Sequence, residues 1–307
     1  MDRRAAWILG LVFGGLFLSL FAFLALAWAA VHTGRSGSFA RGERVGVIEV
    51  VGVIADGKIP LKELREFAEN DAIRAIVVRV DSPGGAVGPS QEIYEAIHAI
   101  REKKHVVVSM GSVAASGGFY IACAGEKVFA NPGTLTGSIG VISEFPNVTG
   151  LLRWAGISVQ TVTAGKMKDV GSPFREMTAD EKSYLQAMLA DVHQQFIGAV
   201  ASGRSLSEDE VRKFADGRVF TGRKAKELKL VDELGGLQDA VRAAGKLAGI
   251  RGEPRIEYPR KERPLIRELF GEEASTAVTG LAARMGEVMG RPGFQFLMPL
   301  VDGVGEP

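Results

Sequence analysis

Apolar and polar positions follow three rhythms along the chain. The first is an unbroken apolar run. From Ala5 to Val31 no residue is charged and most side chains are apolar. That length suits the ~20 residues a helix needs to cross ~30 Å of hydrocarbon. Arg3 and Arg4 precede the run, and Trp7 and Trp28 stand near its ends. The positive-inside rule and the interfacial preference of indole predict a single-pass transmembrane helix with its N-terminus in the cytoplasm. A cleaved signal is the competing reading, with Ala27-Trp28-Ala29 as an A-x-A-like site, but signal h-regions run to only about 7–15 residues. Either way, the rest of the chain is exported. The expected organisation is an anchor over 1–33, a small, polar, glycine-rich linker over 34–43, a folded domain over 44–250 and an extension over 251–307.

The second and third rhythms alternate within the folded domain. Short runs rich in Val and Ile predict buried strands at Val45–Ile54, Ala75–Val80, Val106–Met110 and Val128–Ala130, and Ser158–Thr163 alternates as a strand. Between them, apolar residues recur at helical spacing. The pattern predicts helices at Leu61–Glu69, Pro89–Glu102 (through Ile93, Ile97 and Ile100), Ser116–Ala124, Thr221–Leu228 and Gly236–Leu247. Thr178-Ala-Asp-Glu181 is a capping-box signature that opens a long helix to about Ala201, and Ser207-Glu-Asp-Glu210 repeats it for a short one. Strands alternating with helices imply an α/β fold with a largely parallel sheet. After Ile250 prolines become frequent, and one helix is expected near Glu272–Met289.

Charge narrows the function classes. The 37 Lys and Arg nearly balance the 36 Asp and Glu, which argues against a nucleic-acid binder. The single cysteine, Cys123, lies in the apolar run Phe119–Ala124 and is read as a small core residue. No His, Cys or carboxylate pair has metal-ligand spacing, so neither a metal nor a cofactor is expected.

Candidate chemistry gathers in three glycine-rich segments: Asp81-Ser-Pro-Gly-Gly85, Ser109–Gly118 and Thr134–Gly140. Each follows a predicted strand. In α/β proteins ligands sit where strand ends meet such loops. Ser116 is flanked by Ala114, Ala115, Gly117 and Gly118, so nothing bulky blocks its hydroxyl. It reads equally as a nucleophile, with the Gly117 N–H and that of Gly84 or Gly85 as oxyanion donors, or as a helix N-cap. A nucleophilic serine needs a base. His32, His98, His105 and His193 all lie outside these loops. Lysine is the alternative, and Lys166 and Lys168 in Gly165-Lys-Met-Lys-Asp169 are both candidates. A lysine base must be desolvated so that its pKa falls from ~10.4 toward ~7–8.

Four ordered segments, DSPGG (81–85), MGSVAASGGFYIA (110–122), NPGTLTGSIGV (131–141) and AGKMKDVGSPFREMT (164–178), together resemble the bacterial signal peptide peptidase A (protease IV) family in its single-repeat form. The resemblance covers roughly residues 44–250 and also includes the N-terminal anchor. It implies a crotonase-like, Clp protease-like α/β fold. By motif position it implies Ser116 as nucleophile, Lys168 as general base with Lys166 as the register alternative, Ser138 as the residue that holds the lysine amine, and Gly117 with Gly84 or Gly85 as the oxyanion hole. It further implies a homo-oligomer whose subunits share active sites, and apolar peptide substrates, chiefly signal peptides, met at the outer face of the cytoplasmic membrane. An acyl-CoA enzyme of the crotonase superfamily and a non-enzymatic scaffold are the competing classes. The predicted anchor and the ASGG serine count against the first, and the intact Ser116, Lys168 and glycine loops against the second.

Overall fold

In a computed structural model of the chain, the residues described are 44–260 and the strand 295–297. In chain order the elements are β1 (Arg44–Val51), α1 (Lys58–Glu69), β2 (Ile73–Ser82), β3 (Gly84–Ala86), α2 (Val87–Ile100), β4 (His105–Ala115), α3 (Gly117–Ala122), β5 (Lys127–Ala130), β6 (Leu135–Gly137), α4 (Thr149–Trp154), α5 (Ala179–Arg204), α6 (Glu208–Arg212), β7 (Val219–Thr221), α7 (Gly222–Glu227), β8 (Glu233–Leu234), α8 (Leu237–Leu247), β9 (Arg255–Glu257) and β10 (Gln295–Leu297).

The main sheet runs β7-β6-β4-β2-β1-β9, with β5 also on β4 and β8 on β5. One edge of β4 is shared: Val107–Ser109 pair with β5, and Val113–Ala115 pair with β6. The β6–β7 pair is antiparallel, and the others in this sheet are parallel. Both faces of the central strands are covered. On one face Ile48, Ile76, Val78, Val80, Val108 and Met110 pack with residues of α1, α2, α3 and α5. On the other, Val45, Val47, Ala75, Val77 and Val107 pack with Ala240, Val241 and Ala244 of α8. Two-sided burial explains why AIVVRV reads as a continuous apolar run rather than an alternation. Each Val or Ile so buried contributes roughly 1.5–3 kcal/mol.

The helices and buried strands stand where the patterns predict, and both capping boxes form with both of their reciprocal bonds. Several features differ from expectation, the short strands β3, β6, β7 and β8 among them. Ser158–Thr163 forms no strand: it is exposed and irregular, with Val162 96% accessible. A period-2 alternation stabilises a strand only against a partner edge, and no described strand pairs with this one. The sheet also continues past Ile250, because β9 pairs with β1. Finally, α4 was not foreseen.

The anticipated apolar anchor (Ala5–Val31), the linker and the Glu272–Met289 helix lie outside the described residues. Among the described residues no helix is long and apolar enough to cross a membrane.

Candidate active site

The site begins as a bulge in β4. Val80 pairs with Met110 but Ser82 pairs with Ala114, so two steps on β2 match four on β4. Four side chains pin the bulged backbone. Arg79 Nη1 donates to Ser109 Oγ at 2.8 Å and to the Met110 carbonyl at 2.7 Å. Asp81 Oδ1 accepts from the Val113 N–H at 3.0 Å. The Thr134 hydroxyl donates to the Gly111 carbonyl at 2.7 Å, and the Thr136 hydroxyl to the Ala114 carbonyl at 2.6 Å. Gly111 is required at this close approach, since a Cβ there would lie 2.4 Å from Asp81 Cγ.

Ser116 follows the bulge directly. Its backbone is at φ 53°, ψ −118°, a conformation that costs a non-glycine residue about 1–3 kcal/mol. Its N–H donates to the Gly137 carbonyl at 2.8 Å. The side chain is buried, and Oγ has no hydrogen-bond partner among the described residues. A buried hydroxyl left unpaired adds about 1–3 kcal/mol of cost. Thr178, which does cap a helix, sits at φ −73°, ψ 161° and accepts from the Glu181 N–H. Ser116 makes no such cap bond, so capping does not account for it. Strained serines at strand-to-helix turns are a known way of presenting a nucleophile.

The neighbouring loops close around this turn. Ser138, next to Gly137, is buried at φ 51° and donates its N–H to the Arg218 carbonyl at 2.9 Å. Gly84 donates its N–H to Ser82 Oγ at 3.1 Å. A Cβ on Gly118 would meet the Ser82 carbonyl at 2.7 Å, so the start of α3 lies hard against the end of β2. Gly117 occupies the first helical position of α3, where the N–H has no acceptor within its own helix. Ser116, Gly117, Ser138 and the DSPGG turn are therefore brought together. Behind them, Cys123 is fully buried and its thiol is pushed up to about 12 by desolvation. It is the inert core residue anticipated.

The two lysines stand apart from this cluster. Both are exposed, in a run of turns. Lys166 Nζ pairs with Asp180 at 3.1 Å. Among the described residues, the Lys168 side chain makes no hydrogen bond or ion pair, and neither lysine is bonded to Ser116 Oγ. Arg175 fastens this segment. It donates to Asp169 Oδ2 at 2.7 Å, to the Asp169 carbonyl at 2.7 Å, and to both carboxylate oxygens of Glu181 at 2.8 and 2.5 Å. The Arg175 guanidinium, followed by the Thr178 N–H, holds the Glu181 carboxyl down at about 2, and Arg175 is itself raised by these acceptors. No described histidine is hydrogen-bonded to Ser116 Oγ: His105 pairs with Glu126 at 2.8 Å, His98 stacks on Tyr94, and His193 Nε2 is buried without a partner among the described residues.

A strained, buried serine among glycine turns of an α/β sheet has a counterpart in known peptidases. The family model described as "Peptidase family S49" matches residues 98–251, and that described as "Clp protease" matches residues 58–136. The chain belongs to peptidase family S49. This S49 serine peptidase is 44% identical over 236 residues to the "Putative protease slr0021" of Synechocystis sp., covering 76% of this chain and 84% of that one. It is 34% identical to the "Putative signal peptide peptidase SppA" of Enterococcus faecium, over 64% of this chain and 58% of that one. It is also 34% identical to "Protease 4" of Salmonella typhi, over 78% of this chain and 40% of that one. The α/β sheet with its Clp protease match supports the Clp protease-like fold that the motifs imply.

Sequence reasoning missed the residues that hold this S49 site in shape. Asp81, Thr134 and Thr136 lie inside the quoted motifs but were read only as loop chemistry, and Arg79 carried no signal. Arg175 could have been suspected from the capping box, because a glutamate committed to a cap can also take a guanidinium.

Proposed function

We propose that this S49 peptidase is a membrane-anchored endopeptidase in which Ser116 is the nucleophile and Lys168 the general base. The observation that carries the reading is the strained Ser116 backbone with its buried, unpartnered Oγ. Neutral Lys168 takes the Oγ proton as Oγ attacks the scissile carbonyl carbon. The N–H groups of Gly117 and Gly85 hold the oxyanion; Gly84 is less suited, because its N–H is spent on Ser82. The tetrahedral species collapses, the protonated lysine returns its proton to the leaving amine, and water cleaves the acyl-enzyme. Ser138 orients the lysine amine.

The lysine is supplied by a neighbouring copy of the chain. Two features support this: among the described residues Ser116 Oγ and the Lys168 amine are each without a partner, and the segment leading to Lys168 exposes Leu151 (61%), Trp154 (85%) and Ile157 (55%). Apolar clusters of this kind mark association surfaces. Burial there would desolvate the lysine and lower its pKa as the mechanism needs. Residues 44–250 together with β9 form the peptidase domain. The apolar run Ala5–Val31 supports a position on the outer face of the cytoplasmic membrane, which matches apolar peptides, chiefly signal peptides, as substrates.

Ser116→Ala and Lys168→Ala should each abolish peptide hydrolysis, and mixing the two inactive proteins should restore part of it. Retention of activity by both variants refutes the dyad. Failure of the mixture to recover places the lysine within the same chain. Inactivation by Lys166→Ala in place of Lys168→Ala moves the base to Lys166.

A further inference from the structure

Parallel pairing brings the first residues of β1, β2, β4, β5 and β9 to one end of the sheet. Ser116 follows the last residue of β4, at the other end. At ~3.3 Å per residue, the 11 residues of β4 put roughly 30 Å between the two ends. The end remote from Ser116 holds two open hollows of about 570 and 510 Å³, and Arg101 lines both. Arg74 and Lys103 also line the first, and Lys229 the second. Lys127 and Arg255 stand exposed at the starts of β5 and β9.

Among the described residues none of these six cations enters an ion pair. Arg101 donates to a neutral acceptor, the Ala124 carbonyl, at 3.0 Å. The carboxylates nearby are mostly spent. Glu126 pairs with His105, Asp232 with Arg204, and Glu257 with Arg44. Asp71 and Glu102 are the two carboxylates lining the hollows outside any ion pair among the described residues. The whole chain balances 37 Lys and Arg against 36 Asp and Glu, so the excess at this end is local. A cationic patch of this kind favours an anionic partner.

The course of the chain narrows that partner. Arg44 opens β1 at this same end, where its N–H donates to the Ala72 carbonyl at 3.2 Å. Only residues 32–43 separate it from the apolar run Ala5–Val31. An extended stretch of about a dozen residues spans at most ~40 Å. A run seated in a bilayer therefore keeps this end of the sheet within short reach of lipid headgroups.

We propose that the end of the sheet opposite Ser116 docks on an anionic phospholipid surface, with the two hollows taking phosphate headgroups. The proposal rests on the anchoring given under Proposed function. Each Lys or Arg brought to such a surface strengthens docking about fivefold. Hollows of this volume are in the range of small-molecule sites. Docked this way, β4 points away from the lipid and holds Ser116 roughly 30 Å from the headgroups.

The test uses the full chain with a fluorescent donor on Ala72→Cys, an exposed position at this end. Cys123 is fully buried and stays unlabelled in the folded chain. The chain is reconstituted into vesicles of phosphatidylcholine, alone or with an equal amount of phosphatidylglycerol, that carry a headgroup acceptor. Energy transfer should be greater in the anionic vesicles. The excess should vanish at about 1 M salt, where the screening length shortens to ~3 Å. Arg74→Glu with Lys103→Glu should lower the ratio of docked to undocked chains about 25-fold or more, at about fivefold per charge. Lys58→Glu with Lys182→Glu, both exposed and outside the hollows, should change it little. Matching melting temperatures check that both pairs fold. Equal transfer in the two kinds of vesicle overturns the proposal, as does an excess that survives Arg74→Glu with Lys103→Glu. Equal transfer together with salt-sensitive binding of polyglutamate also overturns it and assigns the face to an acidic protein. Flotation tests the anchor separately. A chain that floats with neutral vesicles is anchored whatever the transfer shows. A chain that floats only with anionic vesicles, and is released by salt, supports the docking face and refutes the anchor.

Discussion

The two halves of the proposed dyad live in opposite surroundings. Ser116 is buried, held at an unfavourable φ, and preceded by a strand whose carbonyls and amides are pinned by Arg79, Asp81, Thr134 and Thr136. Lys168 stands exposed on a run of turns, fastened to the rest of the chain chiefly through the bonds of Arg175 to Asp169 and Glu181. The serine side is a finished piece of architecture within one chain. In the proposed dyad the lysine side would acquire its burial only when another surface covers it. That reading separates two costs: strain at Ser116 is met by folding, whereas desolvation of the lysine would be met by association.

The sharpest way to break that contrast is to loosen the serine side. Asp81→Ala leaves the Val113 N–H without its carboxylate and should lower kcat about 100-fold, the scale of loss for a misplaced reacting group, with KM little changed. Asp81→Asn keeps an acceptor at the same place and should recover most of that loss. A merely structural role would instead lower thermal stability in step with activity in both variants.

On the lysine side, Arg175→Ala should cut activity about tenfold, equivalent to ~1.4 kcal/mol of lost positioning. The melting temperature should hardly move, and tryptic cleavage at Lys166 and Lys168 should accelerate.

Acid should act on the same buckle. Glu181 has its carboxyl lowered to about 2 from an ordinary 4.5. Its contribution is therefore complete above about 4.5 and is lost as pH falls through about 2. Trp154 fluorescence and proteolysis of the 164–178 segment should change within that window, while the central sheet persists. Arg175→Ala should remove the dependence.

The smallest effect is expected at Thr178→Ala, which removes one half of a capping box. It should cost about 1 kcal/mol, seen as a fall of about 2–4 °C in Tm, without altering kcat.

Much of the fold was legible because it rests on local rules. Ala75–Val80 had to be a buried strand, since no exposed element is so uniformly branched and apolar. Thr178 with Glu181, and Ser207 with Glu210, marked helix starts because both partners of each box lie within four residues. The site was legible only as motifs. The glycines around Ser116 left nucleophile and cap equally open, and its backbone angles and missing cap bond then removed the cap. Ser158–Thr163 misled for the converse reason: its alternation was read without knowing whether a partner strand existed.

The sequence alone determined which segments are strands and helices, where the helices begin, and which glycine turns carry the serine, because propensity, periodicity and capping act over a few residues. Tertiary structure alone decided that Asp81 reaches Val113, that Thr134 and Thr136 grip the strand leading to Ser116, that Ser116 Oγ is buried without a partner, and that Gln295–Leu297 lies on Gly84–Ala86. Those contacts join residues from separate elements, and a linear pattern does not state which strand edge a distant segment will meet.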